Sequence, residues 1–167
     1  MKKIGVLVIL LFSMGFSFAQ SFAHVDSQLV LDTMPSRKKA MDELANFESR
    51  AMKEMEEAQN KFNLEYTDFQ NNANTMSATA RRFEEDRLNK KYQEMQARGQ
   101  ELDQQMNILA NDLNAPILER VQKAIENVAK TEKLDYVLDK TVLLYSNGKD
   151  LTDKVIIEVM KLENSAE

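Results

Sequence analysis

Cysteine is absent from the 167 residues of this chain. That removes disulfide frameworks, thiolate nucleophiles, cysteine zinc sites and lipid attachment through a thiol. Tryptophan is absent too, and histidine occurs once, at His24. One histidine without cysteine makes neither an ordinary zinc site nor a histidine-activated nucleophile. Glycine occupies four positions and proline two, which argues against an all-β or loop-rich fold and fits long helices. No Gly-rich loop ends in Lys-Ser or Lys-Thr, so the usual phosphate cradle is missing. An excess of positive charge is missing as well: 22 basic residues stand against 27 acidic ones, leaving no global field for nucleic acid. Carboxylates are plentiful, yet on exposed helices they lack the burial that tunes a catalytic acid or base. The chain reads as a binding or structural protein, not an enzyme, with no cofactor and no metal.

The first residues carry an address. Met1-Lys2-Lys3 is a short positive segment, Ile4 to Phe16 is apolar, and Ser17-Phe18-Ala19 offers small residues for cleavage before Gln20. This is the layout of a secretory signal peptide over residues 1–19, and the apolar run is short for a retained membrane anchor. The expected mature chain begins at Gln20 and is exported. Without Lys2 and Lys3 it holds 20 basic and 27 acidic residues, a net charge near −7.

What is present is helical periodicity. Ala51, Met55, Ala58, Phe62, Tyr66, Phe69, Ala73 and Met76 recur with a mean step of about 3.6 residues, which places them on one helix face. Leu88, Tyr92, Met95, Gly99, Leu102, Met106, Leu109 and Leu113 repeat the pattern. The polar run from Asn71 to Ser77 competes with the helical backbone between the two stripes. The expectation is an antiparallel helical hairpin over 35–115, entered at Pro35 and reversing near 71–78, with arms of about 55 Å. Pro116 predicts a kink, or a stop near Asn111 followed by a new helix.

The chain ends predict a compact α+β body formed by residues 20–34 and 116–167. Ser21 to Asp26 alternates like a short strand. Ile117, Leu118, Val121, Ala124, Ile125 and Val128 form an apolar helix face. Leu134 to Asp139 and Thr141 to Tyr145 read as strands, Asn147-Gly148 as a turn, and Asp150 or Thr152 as the cap of a last helix through about Leu162. So small a body with short strands has open edges, which association with other copies would cover.

The mature chain resembles the Skp/OmpH family of periplasmic chaperones. The resemblance rests on Ile117 to Ile125, on Val128-Ala129, on the strand Leu134-Asp135-Tyr136-Val137-Leu138-Asp139, on Tyr145-Ser146-Asn147, and on Asp150-Leu151-Thr152-Asp153 opening the last helix. It implies a jellyfish-like homotrimer, with a small β-barrel-like body built by all subunits and three helical tentacles. It further implies an ATP-independent holdase that keeps unfolded outer-membrane proteins in the cavity between the arms. The oligomer body would draw on Phe22, Val25, Val121, Ile125, Val137, Leu138, Val142, Leu144 and Tyr145.

A holdase works by many weak, exchangeable contacts, and methionine adapts to many apolar partners. Candidate contacts on the arms are Met52, Met55, Phe62, Leu64 and Tyr66, then Phe69, Met76, Phe83, Tyr92 and Met95. Residues on the main stripe also fit the seam between the arms, whereas Met52 and Leu64 lie off it. Arg81, Arg82, Arg87, Lys90 and Lys91 cluster at the expected tip, and with Arg98 they make six cations against Glu84, Glu85, Asp86 and Glu94. Such a tip suits weak contact with an anionic membrane; a solvated face with Asp86–Lys90 and Glu94–Arg98 pairs is the simpler reading. The family's basic stretch near the body has no counterpart here, since Leu102 to Pro116 contains no Lys or Arg. A structural coiled-coil spacer or adaptor of the envelope is the alternative function.

Overall fold

The computed structural model describes residues 21–165, so the expected signal peptide lies outside the described residues. Strand β1 (Phe22–Val25) is followed by helix α1 (Ser27–Thr33) and helix α2 (Pro35–Asn72). Helix α3 (Ala78–Thr131) returns along α2 and leads to β2 (Tyr136–Asp139), a 3-10 turn at Lys140–Val142, β3 (Lys149–Asp150) and helix α4 (Thr152–Asn164).

Each long helix has a local reason to start. Pro35 opens α2, where its missing N–H costs nothing. The Ser77 hydroxyl accepts from the Ala80 N–H at 3.2 Å and so begins α3 after the reversal at 73–77. At its other end α3 stops in a left-handed residue, Lys133 with φ 54°, and the Leu134 N–H returns to the Ala129 carbonyl at 3.0 Å.

Three expectations are corrected. Helix α3 runs unbroken through Pro116 for 54 residues, with neither a stop at Asn111 nor a fresh start. The proline is exposed, while Leu113, Ile117, Val121, Ala124 and Val128 keep one phase of burial across it. A proline costs about 3 kcal/mol inside a helix, and packing on both sides outweighs that loss. Thr141 to Tyr145 is not a strand. The Asp139 carboxylate accepts from the Thr141 N–H at 2.8 Å and from its hydroxyl at 2.6 Å, curling the chain into the 3-10 turn. Gly148 sits in a bend within extended chain without left-handed backbone, so no hairpin turn forms at Asn147-Gly148. Helix α1 was not anticipated; Asp26 caps it through the Leu29 N–H at 3.0 Å.

The sheet is small and all parallel, in the order β2-β1-β3. Central β1 faces inward with Ala23, His24 and Val25 buried. It is an open sheet within one chain, not a closed barrel. The core beneath it gathers Val25, Val30 and Met34 from the N-terminal end with Ile117, Val121, Ala124 and Val128 of α3 and Leu151, Val155 and Val159 near or on α4. Fully buried aliphatic side chains such as Val155 and Val159 contribute about 1.5–3 kcal/mol each. Asp150 accepts from the Thr152 N–H at 2.8 Å, starting α4 where the helix has no side-chain cap from Leu151.

Candidate functional site

Two surfaces are built from these elements: the length of the hairpin, and one face of the body. Along the hairpin, the stripes close on each other. Leu88, Met95 and Leu102 of α3 are buried, and Met55, Phe62, Phe69 and Met76 are partly buried opposite. Phe62 lies 5.8 Å from Tyr92 between ring centroids and 6.0 Å from Tyr66, a spacing at which aromatic edges and faces attract. Of the ten candidate contacts, Met55, Phe62, Phe69, Met76 and Met95 therefore lie in the seam. Met52, Leu64, Tyr66, Phe83 and Tyr92 remain exposed, Leu64 at 74%.

Gly99 leaves a shallow apolar groove of about 380 Å³ on the seam, edged by Phe47, Met52, Met55, Leu102 and Met106. A methyl group at Gly99 would meet only the Met55 methyl, at 3.6 Å, an ordinary contact. The glycine is thus not demanded by sterics, and it loosens the helix at mid-arm.

Charge is arranged across the hairpin more than at its tip. Glu65 accepts from Arg87 Nη1 at 2.8 Å and from Lys91 Nζ. The Lys91 and then the Arg87 hydrogen bonds hold its carboxyl well below the usual range, at about 2. Arg98 reaches across to Glu54, Nε to Oε1 at 2.6 Å, and also meets Glu101 at 2.8 Å. Two expected pairings change accordingly: Lys90 approaches Glu94 at 3.8 Å, and Arg98 turns to the other arm. At the start of α3, Arg87 and Lys91 are engaged by Glu65, and Arg87 by Glu84 at 2.8 Å as well, while Arg81, Arg82 and Lys90 are exposed, Lys90 with only the 3.8 Å approach to Glu94.

Glu65 was missed although its signal was present. A strict seven-residue repeat through Ala51, Ala58 and Phe62 places position 65, not Tyr66, on the seam, and Tyr66 is the exposed one.

On the body, the candidates divide. Val25 and Val121 belong to the core that the body builds within one chain, and Ile125 and Val137 pack against it. Phe22, stacked on Tyr136 with centroids 5.1 Å apart, is exposed with Leu138, Val142, Leu144 and Tyr145, the last at 82%. Phe22, Tyr136 and Leu138 share one face of the sheet, and Val142, Leu144 and Tyr145 lie on the chain that follows β2. His24 is buried beneath, its Nε2 3.5 Å from Asp150 Oδ2 on β3. Glu132 ties the end of α3 to Lys149 of β3 and Lys154 of α4; those two hydrogen bonds, Lys149 first, hold its carboxyl at about 2. Among the described residues no cluster of three or more His, Asp or Glu side chains could hold a metal ion, and no helix is long and apolar enough to cross a membrane.

A helical hairpin longer than the body that carries it, filled along its seam and dotted with exposed apolar groups, defines a binding scaffold. Residues 21–159 match the family of outer membrane proteins described as OmpH-like. The chain belongs to that family, which is one of Skp-type chaperones and not of enzymes. It is 28% identical over 154 residues to the chaperone protein Skp of Photorhabdus laumondii subsp. laumondii, covering 91% of this chain and 93% of the relative. The chaperone protein Skp of Pectobacterium atrosepticum is 26% identical over 157 residues, with 93% and 94% covered. The crystal structure of a putative OmpH-like outer membrane chaperone from Caulobacter crescentus superposes with a TM-score of 0.73 at 16% identity, covering 86% of each chain. That likeness is one of fold.

Proposed function

We propose that this protein is an ATP-independent periplasmic holdase for unfolded outer-membrane β-barrel precursors. The observation that carries the reading is the set of bare apolar side chains, Met52, Leu64 and Phe83 foremost, on arms whose own seam is already filled. Side chains that neither pack the hairpin nor build the body are free to take up extended apolar segments of another chain. Flexible methionines suit a surface that must accept many sequences. Binding is by mass action: the arms hold the unfolded client and release it to whatever state lies lower in free energy.

In this reading residues 20–34 and 116–167 form the assembly body and 35–115 the arm, after removal of residues 1–19 between Ala19 and Gln20. The body assembles as a homotrimer through Phe22, Leu138, Val142, Leu144 and Tyr145, whose exposure in one chain supports an interface between copies. Three open sheets brought together would cover each other's edges. Dilution of a urea-denatured outer-membrane barrel protein into buffer with the mature chain and no nucleotide tests the function. Soluble client at stoichiometric chaperone is expected; equal turbidity with and without the chain would contradict it and favour the envelope spacer.

A further inference from the structure

Helix α2 leaves the body without a cap of its own. Its N-cap residue, Met34, makes no side-chain hydrogen bond, and its first turn carries no acidic residue but does carry Arg37 and Lys38, which the positive end of a helix dipole disfavours. The missing carboxylate arrives from the far end of the chain. Glu163, at the end of α4 and 9% exposed, accepts from the Ser36 N–H at 3.2 Å through Oε2. Its Oε1 accepts from the Ser36 hydroxyl and from Arg120 Nη1 at 3.0 Å. Three helices thus meet on one buried carboxylate: the start of the outgoing arm, the returning helix four residues beyond Pro116, and the last helix of the body.

We propose that Glu163 is a positioning residue for the arm, fixing with Ser36 and Arg120 the angle at which the hairpin leaves the body. The connection between α1 and α2 is the single buried residue Met34, so at the root the direction of α2 depends on what joins its first turn to the returning helix α3, which runs unbroken into the core. Leverage makes this matter: a tilt of about 10° at the root moves the tip of a 38-residue helix, about 57 Å long, by about 10 Å. In the proposed trimer the clamp would set the width of the space between arms. Its consequence for client size rests on the holdase reading; the clamp itself does not.

The test uses the full mature chain without client. Because the chain has no cysteine, single labels at Glu56→Cys on the arm and Asp153→Cys on α4 report their separation by pulsed electron resonance, with labelled protein diluted into unlabelled protein. Glu163→Ala is expected to widen the distance distribution about twofold, and Glu163→Gln, which keeps an acceptor for the Ser36 N–H, to widen it less. Should Glu163→Ala lose its helical circular dichroism, Arg120→Met carries the test and is expected to widen the distribution in the folded protein. A wild-type width in the folded variant overturns the proposal, as does widening that Glu163→Gln fails to reduce. Failure of the wild-type chain to protect a client would sink the holdase reading and leave this measurement standing.

Discussion

Met52, Leu64 and Leu102 separate two uses of an apolar side chain on the same hairpin. Leu102 is buried in the seam, and Leu102→Ala should lower stability by about 2–5 kcal/mol in urea unfolding. Met52 and Leu64 are exposed, so serine at both positions should change stability by no more than about 0.5 kcal/mol. The same double variant should weaken client protection about tenfold, equivalent to about 1.4 kcal/mol of lost apolar contact. Parent-like protection by that variant would remove both side chains from the binding surface. At this scale the sequence was informative where period decides burial: Met52 and Leu64 fall off the stripe and are exposed. It was silent on Glu163, whose partner Ser36 lies 127 residues away.

The helices and strands show where local rules hold and where packing overrides them. The arms were legible because about ninety residues keep a helical period almost without breakers. Pro116 misled because a strong local penalty is offset by burial in phase on both sides. Thr141 to Tyr145 misled in the opposite direction, since β-branched and aromatic residues lost to the Asp139 cap. Helix α1 is seven residues long, too short for periodicity to announce it. Within the arm, Gly99→Ala should raise thermal stability by about 0.5–1 kcal/mol, because alanine fits and loses less backbone entropy. If pliability at mid-arm serves capture, the same variant should take up client more slowly in stopped-flow fluorescence.

The inter-element carboxylates set a pH dependence. Glu65 and Glu132 are depressed from an ordinary 4.5 to about 2 in the folded chain by their lysine and arginine partners. A depressed carboxyl stabilises the fold fully above its unfolded pKa and loses that contribution as pH falls through the folded one. Urea midpoints should therefore fall between about pH 4.5 and 2, more at low salt because these pairs are solvent-screened. Glu65→Gln should flatten part of that slope; an unchanged slope would mean that its pairs add nothing to the hairpin.

At the scale of the whole molecule, one copy leaves the sheet open and the chain that follows the 3-10 turn exposed. Leu144 and Tyr145 stand exposed, outside the core that Val25, Val121 and Val155 build. Aspartate at both positions should thus dissociate the proposed trimer while leaving the helical signal and the arms intact, and velocity sedimentation would separate that result from unfolding. Such a protein should also lose client protection, since a cavity needs several arms.

The central claim, that these arms enclose an unfolded client, is most directly tested by the solution mass of the chain from Gln20 onward. Light scattering would be recorded alone and after addition of a urea-denatured outer-membrane barrel protein. The account predicts a trimer that takes the client into a soluble complex of three chains to one. A monomer, or an oligomer that lets the client precipitate, would contradict it.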